Sequence, residues 1–186
     1  MKKIILSTII ILAIGATAVF AQGPIGKGEK QLNFGVGFSG NSVPIYVGVD
    51  FGVHPDITVG PRVGFRTHRT TTSSTIGGID FKTETASRTL GISFNADYHF
   101  NNVLDISSKF DFYAGAKLGY SMFSSSTTVT SGSVVKETSA SGSNFGVSPQ
   151  IGGRYFFNSK WSLNLQSNFD ISASQYGLFL GMTMKL

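Results

Sequence analysis

Apolar and polar residues alternate along eight separate stretches of the chain. The stretches are residues 32–39, 45–52, 57–66, 90–99, 110–122, 145–155, 161–171 and 176–186. A period of two residues is typical of β-strands whose two faces meet different surroundings. Most of these stretches are close to the ~9–11 residues that a tilted strand needs to cross a bilayer. The pattern therefore predicts an all-β fold, an eight-stranded antiparallel up-and-down transmembrane β-barrel.

The two faces of the predicted strands differ in chemistry. The apolar faces carry bulky residues such as Phe94, Leu118 and Leu165, and they contain no charged residue. A ring of eight strands has little interior space, so this bulky set cannot all fit inside it. An Arg or Lys facing lipid near the midplane would cost roughly 2–4 kcal/mol, which fits the absence of charge. We therefore expect the bulky face to contact lipid. The alternative is a soluble periplasmic β-barrel that acts as a binding module.

The opposite faces are small and polar, with isolated charges. Their charged residues are Asp50, Arg62, Arg66, Asp97, Asp111, Lys117, Arg154, Asp170 and Lys185. Charges inside a narrow barrel need partners, so we expect Asp and Arg side chains to pair in a network that fills the lumen. Tyr46, Tyr113, Phe156 and Phe179 also point inward by their position in the strands. The alternative is a narrow, passive, porin-like channel for small or apolar solutes.

Two connections between predicted strands are long and rich in Ser and Thr. They cover residues 69–88 and 124–143, and both follow odd-numbered strands, so they leave the barrel at the same end. The remaining connections are short or medium, which matches short periplasmic turns opposite longer extracellular loops. We expect these two regions to be solvated, mobile loops. The alternative is that they extend their hairpins as protruding strands whose edge binds a surface partner.

Aromatic residues gather beside the even-numbered connections. In outer-membrane barrels such residues form a girdle where the membrane meets water. The predicted belt comprises Tyr98, Phe110, Phe112, Tyr155, Phe157 and Trp161. The general preference of aromatic residues for strands is the alternative explanation.

The N-terminal segment has the features of a secretory signal peptide. Lys2 and Lys3 precede an apolar run, and residues 19–21 form a small-x-small cleavage site that ends at Ala21. We expect residues 1–21 to be removed, leaving a short lead at 22–30 and a barrel domain at 31–186. Removal lowers Lys+Arg from 15 to 13 against 10 Asp+Glu, and a net charge of about +3 is too small to indicate nucleic acid binding.

Composition and motifs exclude several kinds of site. The chain has no Cys, so it has no disulfide, no thiolate metal site and no lipid-modified cysteine. Residues 35–40 match the pattern G-x-G-x-x-G of dinucleotide-binding proteins. That motif needs a helix after its glycines, but here the glycines lie within a predicted strand and no helical pattern follows. We therefore expect no bound cofactor.

The three histidines do not form a recognisable site. His54, His68 and His99 are too far apart in the sequence to predict a metal site. Only His68 has serines nearby, at Ser73 and Ser74, and no third group that would orient a nucleophile can be named. We therefore expect no catalytic residue and no enzymatic activity.

Two of the predicted strands carry a resemblance to a known family. They are residues 112–120, with the sequence FYAGAKLGY, and residues 176–186, with the sequence YGLFLGMTMKL. Over residues 31–186 the chain resembles the small bacterial outer-membrane β-barrel proteins, the OmpX/OmpW-like group also called the porin family. The resemblance implies a barrel in the bacterial outer membrane and recognition of the strand at 176–186 by the barrel-insertion machinery. It implies no single activity, because members of the group differ in what their loops do.

The sequence as a whole predicts an outer-membrane β-barrel with a filled polar lumen and a structural or surface-interaction role. Its expected partners are outer-membrane lipid, the insertion machinery and a surface partner at residues 69–88 and 124–143. No nucleic acid is expected among them.

Overall fold

The computed structural model describes residues 24–132 and 134–186, which form one closed antiparallel sheet. The predicted signal peptide and its cleavage near Ala21 lie outside the described residues. The strands are β1 (Lys30–Ser39), β2 (Ile45–His54), β3 (Ile57–Ile76), β4 (Ile79–His99), β5 (Phe110–Ser131), β6 (Val134–Phe156), β7 (Trp161–Asp170) and β8 (Gln175–Lys185). The predicted eight-stranded up-and-down barrel is confirmed. Within the same residues, no helix has the length and apolar character needed to cross a membrane.

Pairing of β1 with β8 closes the ring. Across this seam Leu32 lies opposite Met184, and Phe38 lies opposite Leu178. An open sheet would present a row of unpaired N–H and C=O groups, and hydrocarbon offers no partner for them. Closure removes this edge from the wall of the barrel.

Bulky apolar side chains point out of the ring and polar side chains point into it. Phe94 and Leu118 are each 49% exposed, and Leu165 is 52% exposed. Asp50 and Arg154, on the polar faces of their strands, are 1% and 2% exposed. This distribution is the reverse of a soluble barrel and agrees with the predicted orientation of the two faces.

The first region predicted to be a mobile loop, residues 69–88, is a strand hairpin instead. Pairing of β3 with β4 continues without a break to Ile76 and Ile79. Between them Gly77 and Gly78 have φ angles of 60° and 82°, as a two-residue type I′ turn requires at both central positions. The prediction was wrong because Thr-rich runs favour strands even where apolar residues no longer alternate.

The second predicted loop, residues 124–143, is also a strand hairpin. Pairing of β5 with β6 runs from Ser124 opposite Ser141 to Ser131 opposite Val134. Both hairpins also pair with each other through β4 and β5, as far as Phe81 opposite Ser131. The ladder supplies the backbone partners that an isolated loop would have sought from water.

The two extended hairpins form a four-stranded sheet beyond the ring, here called the projecting sheet (residues 67–88, 123–132 and 134–143). β2 pairs with β3 no further than Phe65, and β7 pairs with β6 no further than Gln150. In the part of the chain that the structure describes, the outer edges of the projecting sheet therefore have no strand partner. From position 66 to position 76, β3 extends roughly 30 Å beyond the ring at about 3.3 Å per residue.

The connections divide the barrel into two ends. Those after β1, β3, β5 and β7 lie at the end with the projecting sheet, here called the long-hairpin rim. Those after β2, β4 and β6 lie at the other end, here called the short-turn rim. This division agrees with the prediction that both long connections leave the barrel at the same end.

The lead before β1 packs against the short-turn rim. Ile25 is 1% exposed, and the N–H of Gly28 donates to the carbonyl oxygen of Gly52 at 2.8 Å. A Cβ at position 52 would collide with the carbonyl oxygen of Gly26. The lead can therefore approach this strand because residue 52 has no side chain.

A charge on the outer face tests the orientation of the barrel. Leu118→Arg is expected to lower the free energy of unfolding in lipid by about 2–4 kcal/mol, because the guanidinium would face hydrocarbon. Equilibrium unfolding in denaturant of protein refolded into lipid vesicles measures this loss. The control is Ile76→Arg at the tip of the projecting sheet, where the side chain is 67% exposed and a change within about 0.5 kcal/mol is expected. Equal losses for the two variants would contradict a lipid-facing Leu118.

Candidate functional site

The ion pairs of the lumen centre on Arg154. Its Nη1 lies 2.7 Å from Oδ2 of Asp111, and its Nη2 lies 3.3 Å from Oδ2 of Asp50. The three side chains are buried, with 2% of their surface exposed at most. Asp111 lies directly opposite Arg154 in the ladder of β5 and β6, and Asp50 reaches it from β2 across the lumen. A buried charge is stable only when it is paired, and this triad meets that condition.

Hydrogen-bonding and aromatic side chains extend this triad around the ring. His99 lies with Nδ1 2.7 Å from Oδ1 of Asp111 and with Nε2 2.9 Å from Oγ1 of Thr58. The guanidinium of Arg154 lies 4.4 Å from the centre of the Tyr113 ring, a cation–π contact. Charged, hydrogen-bonding and aromatic groups of four neighbouring strands, β3 to β6, are thus in contact with one another.

On the other side of the triad, β1 and β8 supply amide and hydroxyl partners. Asp50 accepts hydrogen bonds from the amides of Gln31 at 3.0 Å and Asn33 at 2.8 Å. The hydroxyl of Thr183 donates to Oδ1 of Asn33 at 2.7 Å. Because β1 and β8 form the closing seam, these contacts join the ends of the sheet inside the lumen as well as in the wall.

A second set of hydrogen bonds crosses the lumen through glutamine side chains. The Gln150 amide donates to Asp97 at 2.6 Å, and the Gln166 amide donates to Oε1 of Gln150 at 2.7 Å. Arg62 donates to Oε1 of Gln166 at 3.1 Å. Arg62 also stacks 4.6 Å from the centre of the Tyr46 ring. A carboxylate on β4 is thus linked to a guanidinium on β3 through amides of β6 and β7.

The structure brings together only some of the predicted lumen charges. Asp50, Asp111 and Arg154 form the ion-paired triad. Asp97 and Arg62 join the lumen contacts through amides, whereas both had been expected in ion pairs. The remaining charged positions lie elsewhere in the lumen: Arg66, Lys117, Asp170 and Lys185.

Each of these remaining charges has its own surroundings. Arg66 donates to Oε1 of Gln175 at 3.0 Å, where an ion pair with Asp had been expected. Asp170 accepts from the N–H of Ala173 at 3.0 Å in the turn after β7. Lys185 lies 5.2 Å from the ring centre of Phe156. The prediction that Arg62 and Arg66 pair with Asp was wrong. Alternation along a strand shows that a residue faces inward, but it does not show which inward-facing residues lie at the same height in the lumen.

Sequence reasoning missed His99 and the amide residues of the lumen. Asp111, His99 and Thr58 lie in the order in which a carboxylate, a base and a hydroxyl meet in hydrolases. Here all three are buried, with exposed fractions of 0%, 1% and 1%. His99 occupies an inward-facing position in the alternating pattern of its strand, and this was the signal that could have placed it beside Asp111.

The other grouping considered for catalysis does not form. Nδ1 of His68 lies 2.9 Å from the carbonyl oxygen of Asn41, and Nε2 lies 2.7 Å from Oγ1 of Thr70. His54 lies near Asp56 on the short-turn rim, with Nδ1 3.7 Å from Oδ2. Among the described residues no group of three His, Cys, Asp or Glu could hold a metal ion.

The aromatic residues of the predicted belt face outward near the short-turn rim. Tyr98 is 40% exposed and lies 5.2 Å from Phe100, between ring centres. Phe110 lies 5.3 Å from Tyr155 and 6.4 Å from Phe112. The other two members, Phe157 and Trp161, lie beside the turn between β6 and β7. Their position on one end of the wall is that of an interfacial belt, and a contact with lipid headgroups stays a prediction.

A closed ring of eight strands with an apolar exterior and buried ion pairs inside defines the class of transmembrane β-barrels. Residues 9–181 match the family model described as outer membrane protein beta-barrel domain. The chain belongs to this family, as its sequence had indicated, and its place is the bacterial outer membrane.

Solved outer-membrane barrels share this fold. OprG of Pseudomonas aeruginosa is 12% identical with a TM-score of 0.60, over 90% of this chain and 99% of that chain. The N-terminal β-barrel domain of OprF from the same organism is 9% identical with a TM-score of 0.57, over 87% and 100%. Ail of Yersinia pestis, in complex with the heparin analogue sucrose octasulfate, is 12% identical with a TM-score of 0.53, over 86% and 99%. No curated protein matches the sequence.

Removal of Arg154 tests the energetic weight of the buried triad. Arg154→Met is expected to lower the free energy of unfolding by about 3–5 kcal/mol, because it leaves two buried carboxylates without their cation. Adding Asp50→Asn and Asp111→Asn is expected to recover part of the loss, since neutral amides are cheaper to bury.

The measurement is denaturant unfolding in lipid vesicles, with Arg66→Met as the control. Arg66 is half-buried and has one hydrogen bond to a neutral amide, so its loss is expected to cost only about 0.5–1.5 kcal/mol. A loss below about 1 kcal/mol for Arg154→Met would mean that the triad stabilises the barrel no more than a single hydrogen bond does.

Proposed function

We propose that this protein is a non-conducting outer-membrane barrel that anchors the projecting sheet outside the cell, where the sheet contacts a surface partner. The role is structural and interactive rather than enzymatic. The observation that carries the proposal is the continuous set of buried contacts around Arg154. Such contacts hold the strands together but leave no path for solutes.

Bulky side chains support a closed lumen on the side of the short-turn rim. Tyr113 and Phe156 point inward and are 2% and 1% exposed. The hydroxyl of Tyr113 donates to Oδ1 of Asn164 at 2.9 Å, which links β5 to β7 inside the lumen. Ile25 of the lead is buried at the same end. Water could pass only if several of these side chains moved together.

The direction of the projecting sheet follows from the general construction of outer-membrane barrels. Short turns face the periplasm and long connections face the outside. With that orientation the projecting sheet stands roughly 30 Å above the ring at about 3.3 Å per residue, far enough to reach beyond lipid headgroups. A hydrogen-bonded extension of this kind is suited to contact with another macromolecule.

The free edges of the projecting sheet supply the chemistry of that contact. An exposed edge presents N–H and C=O groups that pair with an extended segment of another chain. At its tips Ile76 and Val134 are 67% and 68% exposed, although most neighbouring residues are Ser or Thr. The partner that fits these features is an extended polypeptide with small or apolar side chains.

The passive channel is the competing function, and conductance separates the two. Purified protein in a planar bilayer is expected to give no steady conductance steps, because its lumen is filled. A variant with Tyr113→Gly, Arg154→Gly and Phe156→Gly is expected to conduct, because it removes the side chains that close the lumen. A porin in the same bilayer is the positive control. Stable conductance steps from the unaltered protein would contradict the proposal that the lumen is closed.

Shortening the projecting sheet tests the interaction role. Deleting residues 69–74 with 81–86, and 125–130 with 135–140, removes opposed pairs and keeps both tips. The barrel is expected to fold as before and to lose at least about tenfold affinity, or about 1.4 kcal/mol, for a Thr- and Val-rich peptide that binds the unaltered protein.

Binding is measured by fluorescence anisotropy of the labelled peptide with protein in nonionic detergent. A polyproline peptide of equal length is the control, because it has no N–H to donate and should not bind. If the full and shortened proteins bind the Thr- and Val-rich peptide equally well, the edges of the projecting sheet are not the binding surface.

A further inference from the structure

A cavity lies in the lumen between the buried triad and the long-hairpin rim. Its volume is about 140 Å³, and a cavity of roughly 150 Å³ can take up a molecule of the size of benzene. The Lys, Arg, Asp and Glu side chains that line it are Arg62, Arg66, Lys117 and Asp170. Three cations and one carboxylate leave the lining with a net charge of +2.

The cations of this cavity are solvated by neutral groups. Arg62 donates to the amide oxygen of Gln166 at 3.1 Å, and Arg66 donates to that of Gln175 at 3.0 Å. With its amide oxygen turned toward the guanidinium, Asn95 accepts from Nε and Nη2 of Arg62 at 3.2 and 3.3 Å. An arginine has five N–H donors, so both guanidiniums keep unused donors.

Lys117 is less satisfied than either arginine. In the described part of the chain it forms no hydrogen bond or ion pair, although it feels the attraction of Asp170 and the repulsion of Arg62 and Arg66. Asp170 is itself engaged with the N–H of Ala173 in the turn after β7. The ammonium of Lys117 is therefore the member of the cluster with the most to gain from a bound anion.

Residues without side chains leave room for a ligand beside these cations. Gly64, Gly91, Gly119 and Gly146 line the cavity from four successive strands, β3 to β6. Gly64 lies opposite Gly91, and Gly119 lies opposite Gly146, in neighbouring ladders. A Cβ at Gly64 would meet only the carbonyl oxygen of Ile45, at 3.6 Å, which is ordinary van der Waals contact. The cavity therefore exists because these positions lack side chains, and not because the sheet has a gap in its backbone.

The cavity has fewer carboxylates per cation than the site around Arg154. Arg154 has two carboxylates within 3.3 Å, whereas three cations here share one carboxylate. Like charges in a partly enclosed, weakly screened site repel one another, and an anion among them removes that repulsion. The hydroxyl group of Ser121 and the amide group of Asn144 also line the space and can donate to an oxyanion.

We propose that this cavity binds a small soluble oxyanion carrying a phosphate or sulfate group, held by Lys117, Arg62 and Arg66. The charged side chains of the lining lie on the inward faces of their strands, so the wall of the barrel separates them from the acyl chains of the bilayer. A phosphate or sulfate group is no larger than benzene and fits a cavity of about 140 Å³. The ligand enters from the long-hairpin rim, because the triad around Arg154 fills the lumen below. This site is independent of the edges of the projecting sheet.

Calorimetric titration with inorganic phosphate tests the site, using the full barrel in nonionic detergent at constant ionic strength. Saturable binding of one phosphate per barrel is expected, with sulfate competing and choline not competing. Lys117→Gln is expected to weaken binding at least about tenfold, or about 1.4 kcal/mol, whereas Lys117→Arg keeps it. Lys160→Gln on the opposite rim is the matched control and should change nothing.

Two substitutions of Gly64 test the role of the free volume of the cavity separately from the role of its charges. Gly64→Leu is expected to abolish phosphate binding by filling the cavity, and Gly64→Ala is expected to preserve it. Circular dichroism confirms that each variant is folded. If Lys117→Gln does not fold, Arg66→Gln carries the same test near the rim.

Three results would overturn the proposal. The first is the absence of saturable phosphate binding. The second is equal binding by the unaltered protein and Lys117→Gln, and the third is an equal loss for Lys117→Gln and Lys160→Gln, which would mean diffuse attraction to the surface. Titration in nanodiscs of anionic and of zwitterionic lipid should give the same affinity. Competition by the anionic lipid would assign the cluster to a headgroup.

Discussion

Hydrocarbon offers no hydrogen-bond partner, and this constraint governs the whole molecule. Every N–H and C=O in the membrane-spanning wall must pair within the sheet, so β8 has to return to β1. Closing the sheet also divides its side chains into an outer and an inner set. The outer set can be bulky and apolar because lipid accepts it, and the inner set has to fit a narrow space in which polar groups find only one another.

The inner set solves this problem differently at the two ends of the lumen. Toward the short-turn rim, Arg154 neutralises two carboxylates, and amides, Thr58 and His99 complete the hydrogen bonds. Toward the long-hairpin rim, glycines and serines leave a cavity in which cations outnumber carboxylates. One half is therefore suited to hold strands together and to exclude solutes. The other half has unused positive charge that faces an open space.

The membrane-spanning parts of the strands were predictable because each residue there faces either lipid or the lumen. This demand imposes strict alternation, as in β8, where Leu178, Leu180 and Met182 share the outer face. Outside the membrane both faces of a strand meet water, so the pattern disappears although the strand continues. For this reason the sequence of residues 69–88 and 124–143 predicts loops, although Gly77 and Gly78, which form the type I′ turn, are a local signal of a hairpin.

By itself the sequence indicated the bacterial outer membrane through its resemblance to a known family. It determined the number of strands and the direction in which each side chain points, because both follow from a period of two residues and the chemistry of each face. It also showed that cations and carboxylates in the lumen nearly balance. Only the tertiary structure decided which of them meet. Strand tilt and register set the level of each inward residue, and these place His99 and Arg154 on Asp111 but leave Lys117 among cations.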